Sequence, residues 1–293
     1  MWNNFKTFVL MLFLITLCLA VGRVLGGQSG MVMGFLFAAV INFGSYWFSD
    51  KMILRMQGAR EVSMKEEPDL FRTVQRLALA GKMPMPRVYI METEAANAFA
   101  TGRNLNHAAV AVTRGILDIL TPPELEAVLA HEISHIRHRD MLIGTIAAVM
   151  AGGIMMIASM MRWAMLFGGM GGGRDDDNRG GNPLAFILVI VLAPIAAMVI
   201  QMAISRSREF AADSGGAALT GNPRALASAL KKISARVEGV PLETASPAMA
   251  HMYIVNPFDR ESWLANMFST HPSMNRRVKK LEEFAEGRSK PTF

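Results

Sequence analysis

Four long apolar runs divide the chain. The first covers Thr7 to Val21 and continues past Arg23 to Leu25, and the second covers Met31 to Phe48. The third covers Met141 to Met161 and the fourth Leu184 to Ile204, with Pro194 inside it. Each is long enough to cross a bilayer as a helix. Elsewhere the pattern is amphipathic. Leu70, Phe71, Val74, Leu77 and Ala78 recur at helical spacing and predict a helix over Asp69 to Ala80, broken by Gly81-Lys-Met-Pro-Met-Pro86. Val88 and Ile90 alternate within Arg87 to Met91, a short strand, and Asn97 to Thr101 and His107 to Thr113 give two more extended pieces. Next comes a helix with Leu125, Val128, Leu129, Ile133 and Ile136 on its apolar side. Thr121-Pro-Pro-Glu124 starts it, with Thr121 as N-cap, Pro122 at the first position and Glu124 closing a capping box. After the fourth run, Ser207 to Ala218, Pro223 to Val237 and Pro272 to Gly287 read as helices, and Ser246 to Trp263 as irregular chain. The fold class expected is α+β, mainly α, with a small sheet and about four membrane-spanning helices.

Charge orders the apolar runs. A Gly-Gly-Gln-Ser-Gly turn joins the first two, which therefore read as a transmembrane hairpin, in preference to a cleaved signal following Lys6. Tyr46 and Trp47 stand at its end, where interfacial aromatics belong. Lys51, Arg55, Arg60, Lys65, Arg72 and Arg76 follow, so the positive-inside rule puts this flank and the N-terminus in the cytoplasm. The third and fourth runs flank a glycine-rich loop, Gly168 to Asn182, that contains Asp175 to Asp177. They predict a second hairpin, or else helices packed against the catalytic domain. The expected organisation is residues 1–50 as the first hairpin, 51–140 and 205–293 as two parts of one domain, and 141–204 as the second hairpin. Hydrophobic residues make up 52% of the 293. The formal net charge of +6 sits beside the apolar runs and not in a nucleic-acid motif, so no nucleic-acid partner is expected. The single cysteine, Cys18, lies in the first run and excludes an internal disulfide.

The chemistry concentrates in His131-Glu-Ile-Ser-His135. Histidines four apart share one face of a helix, one turn apart, and can reach a single ion. Zinc suits neutral imidazole, and a carboxylate beside the first ligand can take a proton from the attacking water. A hydrolytic zinc site wants a third protein ligand. His138 lies about 10 Å along the axis from His131 and cannot easily share its ion. Met141 stands where a metzincin has its third histidine, so that class is excluded. His107 reads as a surface residue and His251 as a loop contact. Glu209 is the best candidate for the third ligand, with Asp213 four residues on accepting the free N–H of a ligand histidine. The competing reading of that pair is an exposed acidic helix face.

Asn97-Ala-Phe-Ala-Thr-Gly102, the His131 motif, Glu209-Phe-Ala-Ala-Asp213 and Thr270-His-Pro-Ser-Met-Asn-Arg276 occur in this order among the apolar runs. The set resembles the membrane-bound heat-shock zinc proteases of bacteria, part of a gluzincin group that includes the CAAX prenyl endopeptidases. That resemblance implies a zincin-like domain holding one zinc on His131, His135 and Glu209. Glu132 would be the general base, Asp213 an outer acceptor and His271 a group near the oxyanion. Asn97, Ala98, Phe99 and Ala100 would form an edge strand for substrate backbone. It further implies an endopeptidase in the bacterial cytoplasmic membrane, facing the cytoplasm, that cuts misfolded or damaged membrane proteins. The alternatives are a CAAX-type prenyl-peptide protease and a non-catalytic metal-binding membrane sensor.

Overall fold

The computed structural model describes residues 2–147, 149, 206–239, 253–255 and 272–290. The glycine-rich loop, the fourth apolar run, most of the third, His251 and His271 lie outside the described residues.

Helix α1 (Trp2–Met56) is two helices joined at a reversal, where Gly26 has φ −143° and Gly27 has φ 58°. Glycine adopts that positive φ without a Cβ clash. The turn is tighter than the sequence reading, because Gln28, Ser29 and Gly30 already belong to the second helix. The two halves run back along each other in backbone contact. A Cβ at Gly22 would strike the Gly30 carbonyl, and one at Gly34 would strike the Cys18 carbonyl. Small residues permit such approach where no water drives packing. Asn42 Nδ2 adds a bond across the pair to the Met11 carbonyl, at 3.2 Å. Phe5–Arg23 and Gly26–Phe48 are long and apolar enough to cross a membrane. Phe8, Leu12, Val40 and Phe43 are exposed along them.

The second half of α1 continues beyond Phe48, and Ile53 and Leu54 pack on a sheet with Tyr89, Met91, Phe99, Ala109 and Ala111. The sheet contains β1 (Ala59–Glu61), β2 (Arg87–Met91), β3 (Ala98–Gly102) and β4 (Ala108–Thr113), in spatial order β1-β2-β4-β3. β2 and β4 are parallel, with Ile90 opposite Val112; β1 and β3 are antiparallel to their neighbours. β3 is thus an edge strand. The other face buries Val88, Ile90, Val110 and Val112 in the main core. That core also takes Val74 and Leu77 of α2 (Pro68–Ala80), and Val128 and Ile133 of α4 (Pro122–Arg137). β1 and the short helix α3 (Arg114–Ile119), capped by the Thr113 hydroxyl, are additions to the sequence reading.

The capping box forms as read: the Thr121 N–H donates to Glu124 Oε2 at 2.8 Å. Glu124 also accepts from Ser228 Oγ at 2.6 Å and Lys232 Nζ at 2.7 Å. Both donors lie on α6 (Pro223–Gly239), so one carboxylate starts α4 and bolts it to a neighbour. Burial opposes its charge, but Lys232, Ser228 and Thr121 draw its pKa down to about 2. α5 (Arg206–Thr220) lies against α4 so closely that a Cβ on Gly216 would sit 2.9 Å from the His131 amide nitrogen. α7 (Met274–Ala285) closes the core with Val278, Leu281 and Phe284. After α4 the chain re-enters helix at residues 141–147, where Ile146 and Ala147 pack on Leu10 and Leu14 of the apolar hairpin.

Candidate active site

The histidines sit in the last turns of α4, whose apolar back is fixed in the core. His131 is almost fully buried and His135 partly so. Their Nε2 atoms face one another at 3.2 Å. Glu209, in the first turn of α5, brings Oε1 to 3.6 Å from His135 Nε2 and Oε2 to 3.9 Å from His131 Nε2. One donor atom from each of the three lies within 4.8 Å of the others.

Carboxylates hold the outer nitrogens. Asp213 Oδ1 lies 3.0 Å from His131 Nδ1, and Asp140 Oδ2 lies 3.4 Å from His135 Nδ1. Each ring then carries its proton on Nδ1 and turns the Nε2 lone pair inward. Two lone pairs facing each other beside a carboxylate repel unless a cation lies among them. Charge points the same way. Glu132, Glu209, Asp213 and Asp140 gather here, against the cations Arg277 and Arg208. The donor set fits a divalent cation held by His131, His135 and Glu209.

Arg277 is the most heavily engaged side chain. It enters from α7, is 1% exposed, and donates Nε and Nη2 to the two Asp213 oxygens at 2.8 and 2.7 Å. Its Nη1 donates to the Ile254 carbonyl at 2.9 Å and lies 3.6 Å from Glu209 Oε2. Burial would raise the Asp213 pKa, but Arg277 and His131 hold it down at about 2. For His131, burial lowers the pKa and outweighs Asp213, so the ring stays neutral as a ligand must. Around His135 the balance reverses: burial opposes protonation, yet Asp140, Glu209 and Glu132 raise its pKa to about 9.

Glu132 lies beside the ligands, 5% exposed. Burial, helped by the Glu209 charge and opposed by His135 and a bond from the Ala100 N–H, lifts its pKa to about 7. That bond fixes how β3 faces the site. Thr113 donates its N–H to the Asn97 carbonyl, so Asn97, Phe99 and Thr101 turn their backbone groups toward β4. By alternation Ala98, Ala100 and Gly102 turn theirs to the open edge. Phe99 and Ala100 line the catalytic cavity with Met141, Thr145 and Tyr253.

Residues 64–285 match the family model described as Peptidase family M48. The chain belongs to peptidase family M48. It is 52% identical to "Protease HtpX homolog" of Syntrophotalea carbinolica, over 96% of this chain and 98% of that one. It is 50% identical to that of Ralstonia pickettii, over 98% of both chains. The homologue from Pyrococcus furiosus is 52% identical over 96% of this chain and 95% of its own. Among solved structures it resembles "Crystal Structure of S. mikatae Ste24p" with TM-score 0.52 and 17% identity, a likeness of fold. The match covers 93% of this chain and 62% of that longer one. This M48 chain is accordingly a protease of metallopeptidase type, and its apolar hairpin makes it membrane-associated.

The structure brings His131, His135 and Glu209 together, with Glu132 and Asp213 where the sequence reading put them. The acidic pair on α5 is buried, 5% and 2% exposed, and not a solvated face. Ala98, Phe99 and Ala100 lie on the edge strand, but Asn97 precedes it with its backbone groups taken by Thr113. The Asn97 side chain instead accepts the Ile254 N–H at 3.2 Å, holding the carbonyl that Arg277 uses. His107 is exposed beside Asn104 in a 3-10 turn away from the cluster, and His138 is the C-cap of α4. Sequence reasoning missed Asp140 and Arg277. Asp140 follows the motif by five residues, a signal visible in hindsight; Arg277 is one of many charges on the last helix.

Proposed function

We propose that this M48 protease is a zinc-dependent endopeptidase of the bacterial cytoplasmic membrane that cuts misfolded or damaged membrane proteins. The observation that carries the chemistry is the convergence of His131, His135 and Glu209 beside Glu132, at the open edge of β3. Tetrahedral zinc with bonds of about 2.0–2.1 Å sets its nitrogen ligands roughly 3.3 Å apart; the two Nε2 atoms here are 3.2 Å apart. Zinc held by these three residues would polarise the scissile carbonyl and acidify the attacking water. Glu132 takes the proton of that water and delivers it to the leaving amine, a role suited to a carboxyl titrating near 7. Ala98 and the Ala100 carbonyl offer main-chain groups to an extended substrate, which lets one site accept many sequences. Asp213 and Asp140 hold the rings, and Arg277 holds Asp213. For His271, which lies outside the described residues, the family resemblance implies a donor to the oxyanion.

The hairpin spans the membrane with the N-terminus and the catalytic domain both in the cytoplasm, and the third and fourth apolar runs form a second hairpin. The basic residues from Lys51 to Arg76 support that orientation. A purely metal-sensing protein has no use for Glu132. The test is zinc-dependent cleavage of a panel of purified membrane proteins. Glu132→Gln should retain zinc and lose proteolysis by at least about 100-fold. Cleavage at near-normal rate by purified Glu132→Gln would defeat the mechanism.

A further inference from the structure

Three contacts fix where the cavity sits relative to the hairpin. Arg103, the residue after β3, places its guanidinium 4.7 Å over the ring of Trp47, and its Nη1 donates to the Trp47 carbonyl at 3.3 Å. Trp47 stands at the end of the second apolar run, where an indole marks the headgroup level. At the other end of the strand, Phe99 packs in one cluster with Ile53 and Leu54. Six residues of helix from Trp47 to Ile53 rise about 9 Å. Four residues of strand from Arg103 to Phe99 rise about 13 Å. Phe99 meets Ile53 after about 13 Å of strand and about 9 Å of helix, so β3 leans by roughly 45° beside α1, with Arg103 as its foot at the membrane surface. On the opposite wall, Thr145 Oγ1 lies 3.1 Å from Thr101 Oγ1 and lines the cavity. The adjacent Ile146 and Ala147 pack against Leu10 and Leu14, inside the apolar hairpin. The cavity floor is therefore within one helical turn of the apolar layer.

From this we infer that the enzyme is built to cut juxtamembrane segments, within about eight residues of the point where a substrate chain leaves the bilayer. The inference rests on the function proposed above, with β3 as the substrate's pairing edge. Ala100, whose N–H meets Glu132, stands three residues along β3 from Arg103, about 10 Å of strand and about 7 Å above the headgroup level. An extended chain paired to β3 rises slantwise from the membrane beside it. Three residues bring it to Glu132 and a few more fill the strand. A substrate with a span and a folded domain close above it can then be cut without first being unfolded.

The experiment uses the full-length zinc-loaded enzyme in phosphatidylethanolamine/phosphatidylglycerol vesicles. The substrates carry one span joined to a stably folded domain by linkers of 2, 8, 16 and 32 residues (about one to ten times the Ala100–Arg103 span). Cut bonds are mapped by mass spectrometry. The eight-residue linker should be cut at a rate within about threefold of the longest, and the two-residue linker at least tenfold more slowly. Arg103→Glu removes the contact with Trp47 without touching the metal site. It should slow the eight-residue substrate severalfold and leave the longest linker unchanged. Cleavage that begins only at 16 residues or longer overturns the inference, as does an Arg103→Glu that slows all lengths equally. Failure to cut any linker, together with failure to cut an unfolded soluble protein, overturns the proposed function and this inference with it.

Discussion

Replacing Arg277 with methionine removes the one cation among the described residues that is both fully buried and bonded to the His131–Asp213 pair. The guanidinium makes two bonds to Asp213 and one to the Ile254 carbonyl, at 2.7 to 2.9 Å. Methionine fills much of the volume and donates nothing. The Asp213 carboxylate, 2% exposed, is left with His131 alone. Removing one partner of a buried ion pair typically costs about 3–5 kcal/mol, because the other charge stays buried. At about 2–4 °C per kcal/mol for a chain of this size, the melting temperature should fall by roughly 6–20 °C. Asp213→Asn removes the stranded charge, so the double variant Arg277→Met/Asp213→Asn should lose clearly less than the sum of the two singles. Arg277→Lys keeps the charge without the two-pronged geometry and should fall between. Thermal melting of zinc-loaded protein in detergent measures all four. If Arg277→Met melts within 2 °C of the parent, or the losses simply add, the clamp is not what holds Asp213.

Other perturbations separate the roles of neighbouring residues. Glu209→Ala takes one of three donors from the cation and should lose both zinc and activity. Asp213→Asn keeps an acceptor for His131 and should lose about 10–100-fold while retaining some zinc; metal analysis and cleavage rate on both variants distinguish them, and equal, complete loss would refute the assignment. Glu124→Gln should cost about 1–2 kcal/mol at pH 7 through the weakened cap and the lost Lys232 bond. The folded-state pKa of Glu124 is depressed, to about 2, so its stabilisation is complete above pH about 5 and fades as pH falls toward 2. The stability gap between parent and Glu124→Gln should therefore narrow on going from pH 7 to pH 3, and chemical denaturation at both values tests it. Gly216→Val pushes α5 away from the His131 amide and should cost zinc affinity and stability together, read by metal analysis and melting.

Local rules carried the sequence reading far. Period 3.6 at Leu70, Val74 and Leu77 gave α2, and Thr121 with Glu124 gave the start of α4 to the residue. Four-residue spacings gave His131 with His135, and Glu209 with Asp213, because one helical turn places each pair on a common face. What stayed hidden depends on distant chain. The order β1-β2-β4-β3 leaves no local trace, and β1 is too short for alternation to show. Arg277 sits among Arg276, Lys279 and Lys280, and nothing in that run tells which cation turns inward. Asn97 belongs to a motif that suggests substrate contact, yet its amide serves Ile254, far along the chain. Asp140 reaches His135 only because the chain turns at Arg139, with φ 58°, a backbone choice invisible in composition.

The split of the metal-binding residues between α4 and α5 also sets an order in time. A ribosome delivers His131 and His135 first, then two apolar runs, and only afterwards Glu209 and Asp213. Arg277 comes last, in the final helix. No nascent chain shorter than nearly full length owns a complete catalytic centre. All four apolar runs must leave the ribosome before Glu209 exists, so a chain that stalls before it holds only two of the three donors. For a protease made beside other unfolded chains, late completion is a safeguard written into the order of its parts.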